Sequence, residues 1–186
     1  MEKLVNMLRP GDVVTHSYHG NDYGILDDAG RVIDGIKEAQ QRGVIFDVGH
    51  GAGSFEWDVV EAAIEQDFEP TTISTDLHEK NLHGPVYDMP TTMSKFLFLG
   101  VPLERVVEMS TTRPAQVLGR EDKLGTLKVG TVADIAVLQM HEGDFVFSDS
   151  YQQLRTGHQL LNAVGTVRRG EMVPGGGGLR MRHFAL

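Results

Sequence analysis

Apolar and polar residues alternate along the chain in a recurring order: a short β-favouring run, a polar loop, then a stretch of helical period. Asp12-Val13-Val14-Thr15-His16 is a strand that ends in histidine, and residues 17–30, rich in Gly, Asp and Asn, form a loop. Residues 31–42 return to helical period, with Val32, Ile36 and Ala39 inward and Gly43 as the stop. Val44-Ile45-Phe46-Asp47-Val48 is a second strand and runs into Gly49-His50-Gly51-Ala52-Gly53. Ser54 predicts an N-cap, with Phe55, Val59, Ala62 and Ala63 as the apolar stripe of the helix after it. Thr72-Ile73-Ser74-Thr75-Asp76-Leu77-His78 is a third strand that delivers a carboxylate into the polar loop of residues 79–90.

Strands alternating with helices predict a parallel sheet with right-handed crossovers. Upstream, Leu4, Val5 and Leu8 share one face of a helix over residues 1–9 that Pro10-Gly11 stops. Downstream, one helix runs from near Pro90 to Gly100, another starts at Pro102, and residues 112–119 add a last turn or two. The texture then changes. Residues 124–130 predict a strand and turn, residues 133–138 a buried strand, and Phe145-Val146-Phe147 a short amphipathic one. Residues 160–168 and 171–173 predict a hairpin through Arg169-Gly170. The expected organisation is an α/β part over 1–119, a small β domain over 120–173, and a glycine-rich, basic tail over 174–186 without order.

Composition narrows the classes. With 186 residues, 40% hydrophobic and 23% charged, the chain suits a globular protein with a core. A formal net charge of −9 disfavours nucleic acid and anionic membrane surfaces as partners. The absence of cysteine removes disulfides and thiolate metal sites and fits a reducing compartment. No signal peptide opens the sequence, and no apolar run approaches the roughly 18 residues of a membrane span. The cytoplasm is the expected location.

Candidate chemistry gathers at the strand ends. His16 is either a metal ligand or a histidine satisfied by loop hydrogen bonds. Asp76 is a ligand, a general base or both, or else the head of an Asx-turn. His50 sits between glycines that admit close approach of a ligand, or in a glycine turn with an incidental histidine. His19, His78 and His83 are loop histidines, and Asp47, inside a strand, reads as a structural carboxylate. Residues 49–53 lack the lysine and hydroxyl of a phosphate loop. Histidine or aspartate at three successive strand ends suggests a hydrolytic metal site.

Gly11-Asp12-Val13-Val14-Thr15-His16, Phe46-Asp47-Val48-Gly49-His50-Gly51, Ile73-Ser74-Thr75-Asp76-Leu77-His78 and Pro90-Thr91-Thr92-Met93-Ser94-Lys95 resemble the amidohydrolase superfamily. The likeness is to its dihydroorotase-like amidohydrolase/deacetylase group. Residues 125–135 resemble that superfamily's return into a small β-sandwich. The resemblance implies the carboxyl-terminal part of a (β/α)8 barrel, strands six to eight with their helices, followed by a β-sandwich segment. It also implies a divalent metal site, usually two zinc ions, and a small-molecule amide substrate cleaved at a non-peptide C–N bond. His16 would be the sixth-strand ligand, and Asp76 the eighth-strand ligand and proton shuttle. His50, Gly51 and His83 would face the substrate. Such barrels need about 250 residues. The first-strand His-x-His pair, the fourth-strand lysine and the fifth-strand histidine have no counterpart here. The isolated chain is therefore expected to be inactive and to associate, with itself or with a missing amino-terminal half. The alternative is a non-catalytic homologue whose half-barrels close as a homodimer; a weaker one is a single adventitious metal without turnover.

Overall fold

The computed structural model describes residues 1–174, and the glycine run of residues 175–178 with the basic tail lies outside them. The chain divides into two compact units, Met1–Asp88 with Ser148–Leu154, and Met89–Phe147 with the residues from Arg155 onward. This division cuts the chain elsewhere than at residue 119. Among the described residues no helix is long and apolar enough to cross a membrane.

The first unit is built on parallel pairing. Strands β1 (Val13–Val14) and β2 (Ile45–Phe46) run parallel, with Val13 opposite Ile45 and Val14 opposite Phe46. On the other side of β2, Asp47 makes a parallel bridge to Thr72. The order in space is therefore β1, β2, then the extended segment that leads to Asp76. Helix α2 (Asp34–Gln41) lies between the first two strands and α3 (Trp57–Glu65) between the second and third. Ile36 and Ala39 of α2 and Trp57, Val60 and Ala63 of α3 are buried with Phe46, Val48 and Ile73. Phe68 meets Phe46 edge-on, with ring centroids 5.2 Å apart. Gly43 ends α2 as expected, at φ +97°, a conformation costly for residues with a Cβ.

Three helix expectations change: α2 begins at Asp34 rather than at residue 31, because Val32 is bridged antiparallel to Leu26. The amino-terminal helix α1 is only Glu2–Val5, and Val5 alone of its residues is buried. Helix α3 starts at Trp57 rather than after Ser54; of the expected stripe Phe55 and Ala63 are buried, whereas Val59 and Ala62 are half-buried and Trp57 and Val60 take the inward positions. The cause is tertiary. Phe55 is held extended in a parallel bridge to Tyr18, and the Glu56 N–H donates to the Tyr18 carbonyl at 2.9 Å, so the helix cannot begin earlier. Its cap is not local either: the buried carboxylate of Asp149 accepts the Trp57 N–H at 3.0 Å.

The second unit holds α4 (Met89–Phe98), α5 (Leu103–Ser110), α6 (Thr112–Val117) and an antiparallel sheet. Helix α4 is polar yet buried: Thr91, Thr92, Ser94 and Lys95 are all enclosed. Ser94 Oγ donates to the Pro90 carbonyl at 2.7 Å and accepts the Leu161 N–H at 2.8 Å. Gly100 stops the helix at φ +84°. Glu108 pairs with Arg105 at 2.7 Å and Arg113 at 2.9 Å, and the hydrogen bond from Arg105 holds its carboxyl below the ordinary range. The sheet has the order β3 (Ile135–Ser148), β4 (Leu154–Arg168), β5 (Glu171–Met172).

Of the strand and turn expected over residues 124–130 only the turn forms: Gly125 lies so close under Thr111 and Ala115 that a Cβ would sit 2.5 Å from the Thr111 carbonyl. Residues 133–138 and 145–147 are not separate strands but lie on or just before one long strand, and none of 133–138 is buried. The hairpin through Arg169-Gly170 is as expected, with Arg168 opposite Glu171 and both turn residues at positive φ, 50° and 84°.

Asp149 joins the turn between β3 and β4 to α3. Its other carboxylate oxygen accepts the N–H groups of Tyr151 (2.8 Å) and Gln153 (2.9 Å). Asp149→Ala leaves these donors and the first turn of α3 without their acceptor, and the expected loss is about 2 kcal/mol. Urea denaturation checks it; an unchanged midpoint would show that α3 is capped some other way.

Candidate functional site

The carboxyl ends of the three parallel segments form the site. In a regular parallel ladder the N–H and C=O of Asp47 would bracket a single residue of β1. Here the Asp47 N–H donates to the Val14 carbonyl at 2.8 Å and the Asp47 carbonyl accepts from the Ser17 N–H at 3.3 Å. One extra residue is therefore accommodated, which makes Thr15-His16 a bulge. His16 adopts φ +59° there, an unusual conformation for a side-chain-bearing residue. Its imidazole turns toward the next loop, where Nδ1 meets the Gly49 carbonyl at 2.5 Å.

Asp47 is the centre of this rim. Its carboxylate is buried and accepts three hydroxyls: Thr15 Oγ1 at 2.7 Å, Thr72 Oγ1 at 2.6 Å and Ser74 Oγ at 2.5 Å. Ser74 Oγ also accepts the Gly49 N–H at 3.1 Å. A buried carboxylate is tolerated where such donors replace its water.

The glycine loop then carries the third strand end. The His50 and Gly51 N–H groups donate to the Ser74 and Thr75 carbonyls at 3.2 and 3.0 Å. Gly51 has φ +55°, and a Cβ on it would lie 2.9 Å from Asp76 Oδ2, so the carboxylate rests directly against this glycine. Asp76 itself is left-handed, at φ +44°. Asn81, buried, ties the turn down: its Nδ2 donates to the Asp76 carbonyl at 2.9 Å and its Oδ1 accepts the His78 N–H at 2.8 Å. His16 and Asp76 thus leave the two strands that flank β2 and meet the same loop, one at Gly49 and the other at Gly51.

The other expected residues are placed as follows. His50 is fully buried, stacked on Phe55 with centroids 4.5 Å apart and rings 8° from parallel. His83 is exposed on the loop beyond Asn81. His19 and His78 accept local N–H groups of Asn21 and Lys80, each at 3.2 Å, and close their own turns. Sequence reasoning missed Ser74, Asn81 and the turn after β3. In that turn Ser150 Oγ lies 3.4 Å from the carbonyls of both His50 and Gly51. Tyr151 Oη donates to the Gly53 carbonyl at 3.2 Å and accepts the Gly20 N–H at 3.1 Å. No local pattern marks residues about 100 positions away as partners of a glycine loop.

The donors fit a divalent metal in kind. With Nδ1 committed to a backbone carbonyl, His16 keeps Nε2 for coordination, the usual arrangement of a ligating histidine. Asp76 is exposed and offers hard oxygen. In number they fall short: among the described residues no group of three His, Cys, Asp or Glu is placed to hold an ion, whereas catalytic zinc takes about three protein ligands.

Parallel strands joined by helices, with histidine and aspartate on one rim, define an α/β protein. Residues 19–173 match the amidohydrolase family, and the chain belongs to it; His16 lies just before the matched stretch. The chain is 32% identical over 174 residues to a deacetylase of Enterococcus faecalis, which covers 92% of this chain and 47% of that protein. Among solved structures, that of an adenine deaminase superimposes with a TM-score of 0.88 at 32% identity, over 92% of this chain and 47% of the other. That of a dihydroorotase does so with a TM-score of 0.81 at 37% identity, over 92% and 45%. The chain is dihydroorotase-like, and it spans about half the length of the deacetylase it matches over 174 residues.

Gly51→Ala combines a left-handed backbone with a close approach to Asp76; it should destabilise the unit by about 1–2 kcal/mol, and an unaltered thermal midpoint would argue that Asp76 does not rest on the loop. Glu56, whose carboxylate lies over Gly20, has its pKa raised by burial and by Asp58 and Asp149. Its charged form is therefore disfavoured on folding, and that strain appears as pH rises through the carboxylate range. Glu56→Gln should raise the thermal midpoint at neutral pH, with the difference fading on acidification; a difference that persists in acid would contradict this.

Proposed function

We propose that this chain carries strands six to eight of a (β/α)8 barrel and the following β-sandwich segment of a metal-dependent amidohydrolase that cleaves a non-peptide amide C–N bond. The observation that supports it is the meeting of His16 and Asp76 on one glycine loop, Gly49 to Gly51, in a chain of the amidohydrolase family. His16 Nε2 and the Asp76 carboxylate would hold a divalent ion, which the family resemblance implies is zinc, and the remaining ligands would come from other parts of an intact enzyme. When bound, the metal polarises the amide carbonyl and lowers the pKa of water. Asp76 takes the proton of the attacking water on its carboxylate and gives it to the leaving amine. The loops that carry Gly51 and His83 would face a small-molecule amide, with His50 as the buried ring within the first of them, and the cysteine-free chain suits the cytoplasm. On this reading the isolated chain is inactive.

A second reading is a non-catalytic chain that self-associates. It is favoured by β1, which pairs on one side only among the described residues and leaves Val13 half exposed.

The test mixes the chain with the amino-terminal half of the Enterococcus faecalis deacetylase and measures zinc content and N-acetyl amino acid hydrolysis. Gain of both is expected, with hydrolysis reduced about 10²–10⁴-fold by Asp76→Asn and zinc lost with His16→Ala. No gain over either part alone counts against the hydrolase, and an isolated-chain mass of twice 20.5 kDa would favour the second reading.

A further inference from the structure

We propose that Asp47 is a positioning residue for His16: through Ser74 and Gly49 it selects the tautomer and direction of the imidazole. The inference rests on the reading of His16 as a ligand for its catalytic meaning, while its structural content stands on hydrogen bonds alone.

Two arms run from the Asp47 carboxylate to His16. The shorter passes through Thr15, whose hydroxyl donates to Asp47 Oδ2 at 2.7 Å and whose backbone enters the bulge that His16 occupies. The longer starts at the same oxygen. Ser74 Oγ gives its single proton to Asp47 at 2.5 Å, so a lone pair faces the Gly49 N–H, 3.1 Å away. That bond holds Gly49 at φ +50°, which aims its carbonyl at His16 Nδ1. A carbonyl only accepts, so Nδ1 must carry the proton and Nε2 is left with its lone pair outward. No side chain fits at Gly49, because a Cβ would overlap Thr15 Oγ1 and sit 2.7 Å from His16 Nδ1.

The acceptor at position 47 matters for the direction of every bond in the chain. All three hydroxyls point inward because the carboxylate is acceptor-only. An Asn of the same shape can keep its oxygen on Thr15 and Ser74 and turn its NH₂ to Thr72 alone, whereas an Ala removes the acceptor from both arms. Without that acceptor the Ser74 proton is free to turn, its lone pair is no longer fixed on Gly49, and the loop carbonyl is no longer held on Nδ1. Thr72 also donates to Asp47, through Oδ1, but no bond leads from it to His16. It is an internal control for a purely structural role.

The experiment is long-range ¹H–¹⁵N correlation of the histidine rings in the whole chain, at a pH where imidazoles are neutral, with the His16 signal assigned from its loss in His16→Gln. The wild type should show the Nδ1–H tautomer, the minor form of free imidazole. Ser74→Ala and Asp47→Ala should each convert it to a mixture, Ser74→Thr should retain it, and Thr72→Val should lower the thermal midpoint while leaving the tautomer as in the wild type. If Asp47→Ala does not fold, Ser74→Ala decides. A wild-type Nε2–H tautomer, or an unchanged Nδ1–H signal in folded Ser74→Ala, overturns the proposal. Because the readout needs neither metal nor partner, failure of the hydrolase reading in the mixing assay leaves it untouched, and the reverse also holds.

Discussion

A carboxylate buried between parallel strands must find donors for its lone pairs or lose several kcal/mol of hydration. Asp47 meets that requirement with hydroxyls from both neighbouring segments, Thr15 on one side and Thr72 and Ser74 on the other. Backbone pairing alone holds these segments weakly, since β1 and β2 are two residues each and the third makes a single bridge. The side-chain cluster begins where the ladder stops, and everything beyond it inherits its geometry: the bulge at His16, the left-handed Gly49 and Gly51, and the carboxylate of Asp76 against the loop.

A second brace comes from far along the chain. The turn Asp149 to Gln153 caps α3, supports the carbonyls of His50 and Gly51 through Ser150, and spans Gly20 and Gly53 through Tyr151. Asp47 holds the glycine loop from within the sheet, and this turn holds it from outside. A loop with three glycines has little conformational preference of its own, so its fixed course is a property of these two supports. Rigid support of that kind is what a binding constellation requires.

The family and the site meet on one point of chemistry. His16 and Asp76 are nitrogen and oxygen donors that leave different strands and meet a common loop, and they are fewer than a catalytic metal takes. A chain that spans 47% of a deacetylase relative accounts for such a shortfall under the proposed division of the barrel. The buried stacking of His50 on Phe55 ties that ring to the packing of Trp57, whose ring meets Phe55 edge-on at 5.2 Å.

What could be read from the chain alone was local. The alternation of β-favouring runs and helical periods is written in side-chain polarity, and parallel order follows from it because crossovers require it. The stops at Gly43 and Gly100 and the turn at Arg169-Gly170 were legible because backbone conformation there depends on the residues themselves. His16 and Asp76 stood out because they end β-favouring runs. Tertiary structure decided the rest. It began α3 at Trp57, since Phe55 was already engaged by Tyr18; it made a turn of residues 124–130, since Gly125 had to pass under Thr111. It gave Asp47, legible as a structural carboxylate, its three particular hydroxyl partners, and it recruited Ser150 and Tyr151 to the rim. Periodicity records which face of an element is buried, but the partner of a hydrogen bond is chosen by whatever the fold brings within 3 Å, and that choice leaves no mark on neighbouring residues.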